Sequence, residues 1–375
     1  MLCKNAEVML NKQIEFLTNT LRPHFTGNRS RIECMAAIIL GMISAGTVNL
    51  SEVSTYIQCG LKYRSTYNRI QGFFTEFSLC LNQVASFVMI ILPFDGRIRL
   101  VFDRTNWKFG QRNINFFVLA ICYKTVAVPI FWRSLDKQGC SSDEERIELL
   151  QRFQDKFGFD KVIDLFGDRE FASKKLLEYL VKNNLNFTLR IKRTLNVANS
   201  KGKLVPVINL FRDLAIGEIE ILVNRKVLGK KVNICVERLD SDDYRIIITN
   251  HHPENATTRY LEREQIERMF SCLKSRGFNI EDTHITNLDK LERLLGVVTI
   301  AFCWAYKVGD YIDEDQPIER KNHGRRVRSI FKTGFIYLRN LFAGVTERYL
   351  EFVNNIALIF EHNSSAKAFI NKDYI

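Results

Sequence analysis

The chain reads as an α/β protein, a mixed sheet flanked by helices and preceded by an all-α region. Up to about residue 94 the apolar residues follow helical spacing, as in the run Cys34 to Met42, and no strand alternation appears. After Pro93 and the Asp95-Gly96 turn, short apolar runs that end at turns alternate with amphipathic helices, giving strands, helix, strand, helix, strand. Between residues 194 and 250 the texture becomes β-rich, with polar turns at 199–203 and 241–243.

In the helical region, residues 50–74 predict a short helix capped by Ser51, a turn around Gly60 and a second helix carrying Lys62, Arg64, Tyr67 and Arg69. This is a possible helix-turn-helix, with Tyr63, Arg64 and Arg69 the first candidates for DNA contact; a basic helical hairpin of no special role fits the same residues. Ile98 to Phe102 predicts a short strand ending in Asp103, and Asn115 to Tyr123 and Thr125 to Trp132 complete a three-strand meander. Ser142 and Glu145 form a capping box for a helix over Asp143 to Phe157. Val162 to Phe166 is a buried strand ending at Gly167-Asp168, Ser173 to Lys182 a helix, and Asn186 to Lys192 a further strand. The β-rich pieces are Glu218 to Val227, Lys231 to Leu239 and Tyr244 to Thr249. A buried helix over Leu288 to Tyr306 follows, then an acidic knot (Asp310, Asp313, Glu314, Asp315) and a basic, aromatic-rich stretch from Arg320 to Arg339 that includes Arg325 and Arg326.

A length of 375 residues suits two or three domains, and the net charge of +12 with a pI near 9.2 favours a polyanionic partner. The longest apolar run, Leu294 to Tyr306, is too short to cross hydrocarbon, and the first residues are broken by charges and show no secretory pattern, so the expected location is the cytoplasm. Nine cysteines without a CxxC pair predict buried reduced thiols, neither a disulfide framework nor a zinc site. His251 and His252, at a strand end before Pro253, have no ligand spacing; any metal here is expected to be bound by oxygen.

Asp103 and Asp168 lie where separate strands end, the place where ligand chemistry gathers in such sheets. Taken singly, each is as well explained as a turn or cap residue. Further on, Tyr260, Arg263, Glu267 and Lys274 stand at offsets that, at about 100° per residue on a helix, fall within an arc of roughly 60°. A carboxylate beside a phenol, a guanidinium and an ammonium suits a metal ion held next to a phosphodiester, although Arg263 and Glu267 are also an ordinary i, i+4 ion pair. Three carboxylates can bind a pair of hard divalent cations, for which Mg²⁺ is the natural occupant.

The segments VFDRTNWKFG around Asp103, GDREF around Asp168 and Tyr260-x2-Arg263-x3-Glu267-x6-Lys274 resemble bacterial insertion-sequence transposases of the DDE class that carry the Tyr-Arg-Glu-Lys signature. The resemblance spans roughly residues 95 to 306. It implies a ribonuclease-H-like core with a β-insertion before the last acid, a metal-binding triad of Asp103, Asp168 and Glu267, and Tyr260, Arg263 and Lys274 holding the phosphates of a transposon end. It also implies two Mg²⁺ ions, with Mn²⁺ as a substitute, double-stranded DNA as substrate, a homodimer in the synaptic complex, and no membrane. In several such enzymes the donor end passes through a DNA hairpin, with a flipped base stacked on a tryptophan of the insertion. Residues 194–250 hold no tryptophan here; the three are Trp107, Trp132 and Trp304, and stacking by Tyr, Phe or Trp107 remains open.

The expected organisation is a helical DNA-binding region over 1–94, a catalytic core over 95–193 and 251–310, the β-rich insertion over 194–250, and a basic region over 311–375 for DNA contact or dimerisation. The leading function is cut-and-paste transposition at terminal inverted repeats by an enzyme acting at the bacterial nucleoid. A structure-specific nuclease on the same core, or a catalytically silent DNA-binding descendant, would share its features; strand joining separates the first, and metal-free end binding the second.

Overall fold

The computed structural model describes residues 2–57, 62–94, 96–343 and 349–360. Five helices come first: α1 (Leu2–Leu21), α2 (Arg29–Ala45), α3 (Leu50–Tyr56), α4 (Tyr63–Glu76) and α5 (Leu81–Ile91). Then follow β1 (Ile98–Phe109), β2 (Arg112–Tyr123), β3 (Val126–Ser134), α6 (Asp143–Phe157), β4 (Val162–Gly167), α7 (Lys174–Lys182) and β5 (Thr188–Arg190). The β-rich residues form β6 (Asn196–Ala198), β7 (Leu204–Pro206), β8 (Ile219–Val227), β9 (Lys230–Arg238) and β10 (Tyr244–Thr249). Last come α8 (Ala256–Tyr260), a 3₁₀ turn (Leu261–Arg263), α9 (Glu264–Leu273), α10 (Leu288–Asp315), α11 (Ile330–Ala343) and α12 (Tyr349–Phe360).

The chain divides into two units. One comprises residues 94–106 and 115–269 and holds the sheet, whose strand order is β3-β2-β1-β4-β5-β10-β9-β8. β1, β4 and β5 run parallel, while β2 and β3 pair antiparallel as a hairpin whose turn places Lys124 at positive φ. A meander followed by two parallel crossovers is the ribonuclease-H-like arrangement. Strands β10, β9 and β8, all antiparallel to their neighbours, widen this same sheet beyond β5, and β6 and β7 form a separate two-stranded piece. The capping box at Ser142 and Glu145 is present on α6, and Ser173 caps α7.

Two sequence expectations about the segments that carry the candidate residues are corrected. β1 does not stop at Phe102: it continues through the polar residues to Phe109, because the two-residue turn at Gly110 and Gln111 brings β2 back alongside and keeps its backbone groups paired. Asp103 therefore lies inside a strand, not at its end. The Tyr260 to Lys274 segment is not one regular helix either, since the 3₁₀ turn interrupts it and α9 ends at Leu273.

The other unit comprises residues 1–93, 107–114 and 270–375. Its centre is α2, buried at Ile32 and from Cys34 to Ile43, with Asn28 as its N-cap and Gly46 at φ 73 as its C-cap. An apolar helix with no polar face must be covered on all sides; α1, α3, α4, α10 and α11 pack around it. α10 reaches Asp315, so the acidic knot forms its last turns instead of following it. α10 and α11 cross with backbones in contact: a Cβ added at Gly309 would meet the Ile330 carbonyl oxygen at 1.9 Å, and one at Gly334 the Ala305 carbonyl oxygen at 2.0 Å. The cap of α3 is Asn49, whose side chain accepts from the Ser51 N–H, in place of Ser51 itself; the turn at Gly60 and residue Asp95 lie outside the described residues, as does the tail beyond Asn363.

Trp132 and Trp304 are core residues, each 1% exposed. Among the described cysteines, Cys34, Cys235, Cys272 and Cys303 are buried thiols, whereas Cys80 and Cys140 are exposed, contrary to expectation, because each sits in a connection next to a helix start and not on a core face. Among the described residues no single helix is long and apolar enough to cross a membrane.

Candidate active site

The register of β1 on β4 pairs Arg99 with Asp164, Leu100 with Leu165 and Val101 with Phe166. Side chains two residues apart share a face of a strand. Asp103, on β1, and Asp168, one residue past the end of β4, each lie four residues beyond the Arg99 and Asp164 pair, which puts them at matching positions where the two paired strands lead out of their shared stretch. Each accepts the N–H of the residue after it, from Arg104 and from Arg169, at 2.8 Å in both cases. The Asp103 carboxyl is pushed up to about 6: burial is the main cause, Asp168 and Glu170 add like charge, and Arg263 and the Arg104 N–H oppose the rise.

Glu267 approaches from α9 through Arg263. The Arg263 Nη1 donates to Asp103 Oδ2 at 3.1 Å, while its Nη2 forms a close ion pair with Glu267 Oε1. Tyr260 hydroxyl donates to Asp168 Oδ1 at 3.3 Å, and its ring lies 6.0 Å from the Arg263 guanidinium carbon. The broken helix explains this convergence. Three residues make one full turn of 3₁₀ helix, which stacks Arg263 under Tyr260, and four residues of α-helix then bring Glu267 to the same side. The Tyr260 ring is anchored among Cys235, Ile247 and Ala256, with Ile221 against them, so strands of the β-rich stretch hold it in place.

Five of the six core candidates are thus drawn together within one unit. Lys274 falls in the other unit, one residue beyond the end of α9, where its ammonium pairs with Glu281 at 2.6 Å. Of the terminal candidates, Arg64 is exposed on α4, and Arg69 on the same helix pairs with Glu33 at 3.0 Å; Tyr63 hydroxyl contacts Ser51 Oγ at 2.6 Å. Arg325 is exposed, while Arg326 pairs with Asp313 at 2.7 Å, which the sequence stretch did not reveal.

Two supporting constellations escaped the sequence reading. Arg104 grips Glu170 with both arms of its guanidinium, at 2.6 and 2.8 Å, and reaches the Gly139 carbonyl at 2.7 Å. Its only sequence signal was adjacency, since Arg104 follows one acid and Glu170 comes two residues after the other. Asp164, 1% exposed, accepts from Arg259 Nε at 3.1 Å and Thr188 Oγ1 at 2.9 Å and lies 3.2 Å from His251 Nε2. Inside the apolar run VIDLF nothing marked it. His251, 15% exposed, lies against this buried carboxylate, and His252 is solvent-facing.

Among the described residues no three His, Cys, Asp or Glu side chains are gathered closely enough to hold an ion; the three acids are linked through Arg263 and Tyr260. The donor set nonetheless suits a hard cation. All donors are carboxylate oxygens, Asp103 and Asp168 are half-buried, and a guanidinium stands between Asp103 and Glu267 where positive charge is required.

A ribonuclease-H-like sheet with one carboxylate on β1, a second just past the end of β4 and a third on a later helix defines a class of phosphodiester-processing folds. Residues 94–304 match the transposase DDE domain family, and the chain belongs to that family. DDE transposases use divalent metal ions. Among solved structures, the chain is similar to the piggyBac transposase in a synaptic complex with hairpin DNA determined by cryo-EM, with 11% identity, 98% of this chain and 85% of that one covered, and a TM-score of 0.46. A comparison with curated proteins finds no match.

Proposed function

We propose that the chain is a cut-and-paste DNA transposase of a bacterial insertion sequence, of the group with the Tyr-Arg-Glu-Lys signature. It cleaves at the element's terminal inverted repeats and joins the freed ends to target DNA. One observation carries this reading: in a chain of the DDE family, Asp103, Asp168 and Glu267, far apart in sequence, are gathered by the neighbouring side chains of Arg263 and Tyr260.

Asp103, Asp168 and Glu267 would hold two Mg²⁺ ions, with Mn²⁺ able to replace them. Bound there, such ions supply a more acidic water or sugar hydroxyl and neutralise charge on the leaving oxygen. The chain's own residues position the DNA. Arg263 offers a planar pair of donors matched to a phosphate, Tyr260 a single O–H on a fixed ring, and Lys274 a point charge. Arg104, locked to Glu170, keeps the strand bearing Asp103 and the loop bearing Asp168 in register. Cleavage breaks the bond between phosphorus and the 3′ oxygen as a water oxygen takes its place, and the 3′ hydroxyl then makes the same attack on target DNA.

The domain assignment goes with this reading: 1–94 contacts DNA through a helix-turn-helix that includes Arg64 and Arg69, 95–193 and 251–310 form the catalytic core, 194–250 is the insertion, and 311–375, with Arg325 and Arg326, meets DNA or a second copy. Two ends brought together require at least a homodimer.

The test is incubation of the full chain with Mg²⁺ and DNA carrying the element's own inverted repeats. End-specific cleavage followed by strand joining is expected, and both should disappear in Asp103→Asn and Glu267→Gln. Undiminished cleavage by either variant removes that acid from the mechanism, and cutting that never leads to joining makes the chain a nuclease.

A further inference from the structure

Tyr260 and Arg263 between them engage all three acids of the site. The Arg263 guanidinium, its side chain only 14% exposed, bridges Asp103 and Glu267, while the Tyr260 hydroxyl donates to Asp168. We infer that this pair is a latch: in the DNA-free chain it holds the carboxylates in place of the metal, and DNA phosphates open it by competing for the same donors. The inference rests on the proposed DNA-cleaving reading and adds to it an order of events, in which DNA is engaged first and the metal is held tightly only afterwards.

The physical basis is competition for space and charge. A guanidinium spanning Asp103 and Glu267 occupies the volume between them, and its positive charge repels a divalent ion entering the same low-dielectric pocket. A phosphate presents the same planar pair of acceptors as a carboxylate, so Arg263 can exchange one for the other without losing its hydrogen bonds. Once released, Glu267, 56% exposed on α9, has room to turn toward Asp103 and Asp168. Tyr260 needs no such movement. Its ring is fixed among Cys235, Ile247 and Ala256, and only the O–H has to rotate from Asp168 to a phosphate oxygen. Arg263 is thus the moving part and Tyr260 the pivot.

Two sites that share a bridging group are thermodynamically linked, and the linkage is reciprocal: DNA must tighten metal binding by the same factor by which metal tightens DNA binding, on the order of tenfold for a coupling of this kind. The sign for Arg263 is the informative part. A residue that merely braces the site would weaken metal binding when removed. A latch tightens it.

The experiment is titration of the full-length chain with Mn²⁺ alone, the free ion followed by electron paramagnetic resonance, with and without a duplex of mixed sequence at low salt and with Mn²⁺ taken up by DNA alone subtracted. Wild type is expected to bind Mn²⁺ weakly alone and about tenfold more tightly with DNA. Arg263→Gln should bind tightly without DNA and gain little from it, and Tyr260→Phe should move the same way by a smaller factor. Arg263→Lys, which keeps the charge but cannot bridge two carboxylates, should fall between, and it guards against misfolding of the Gln variant, as does a circular dichroism melt of each protein. Unchanged or weaker Mn²⁺ binding by folded Arg263→Gln and Arg263→Lys overturns the latch alone if Asp103→Asn still abolishes binding. Should Asp103→Asn bind Mn²⁺ like wild type, the assignment of the acids itself fails and takes the latch with it.

Discussion

Arg104 and Glu170 form a two-armed ion pair, 2.6 and 2.8 Å, that ties the strand bearing Asp103 to the turn following Asp168. Both side chains are less than a quarter exposed, so solvent screens the pair little. Arg104→Ala would leave a half-buried carboxylate beside two others. We expect each single variant to lose about 1 to 3 kcal/mol of stability, with a coupling of about 1 kcal/mol or more in a double-mutant cycle with Glu170→Ala, read from urea unfolding. A coupling indistinguishable from zero would mean that the pair does not join the two segments.

The raised Asp103 carboxyl fixes the sign of one pH effect in the metal-free chain. With about 6 in the folded state against 3.8 as the ordinary value, the folded protein binds the extra proton between those pH values. Stability from this group therefore falls as pH rises through that window, and the penalty is complete above the folded value, on the order of 3 kcal/mol. In the presence of a chelator, Asp103→Asn is expected to equal wild type near pH 4 and to exceed it near pH 7. A variant less stable at the higher pH would show that the ion pair with Arg263 outweighs burial.

The buried Asp164 depends on Arg259, which also donates to the His252 carbonyl at 2.7 Å. Arg259→Ala removes the main countercharge of a carboxylate with almost no access to water, and about 3 to 5 kcal/mol should be lost in denaturant unfolding. Asp164→Ala added to that background should restore part of the loss. If the double variant is weaker by the full sum, the two side chains act independently.

At the crossing of α10 and α11, Gly309→Ala and Gly334→Ala each drive a methyl into a backbone carbonyl, which no rotamer change relieves. A loss of about 3 kcal/mol or more is expected for each. Gly72→Ala is the opposite case: Gly72 lies within α4, a Cβ there meets nothing within 4 Å, and a gain of about 0.5 to 1 kcal/mol should follow. Thermal melts of the three proteins should order accordingly.

Local chemistry made much of this architecture legible from the chain. The capping box at Ser142, the strand over Val162 to Phe166 and the run Tyr244 to Thr249 announce themselves because capping and short apolar runs bounded by turns are set within a few residues. The acids at 103, 168 and 267 could likewise be named, because the motifs around them are contiguous. Tertiary structure decided where those acids meet and what stands between them. Asp103 became an interior strand residue because β2 supplies hydrogen bonds that no apolar pattern records. Asp164 acquired partners at Thr188, His251 and Arg259 only through folding. The bridging role of Arg263 likewise depends on a 3₁₀ turn whose phase a uniform helical wheel misses, since a carboxylate 160 positions away in the chain becomes a neighbour only once strand register and that turn are both set.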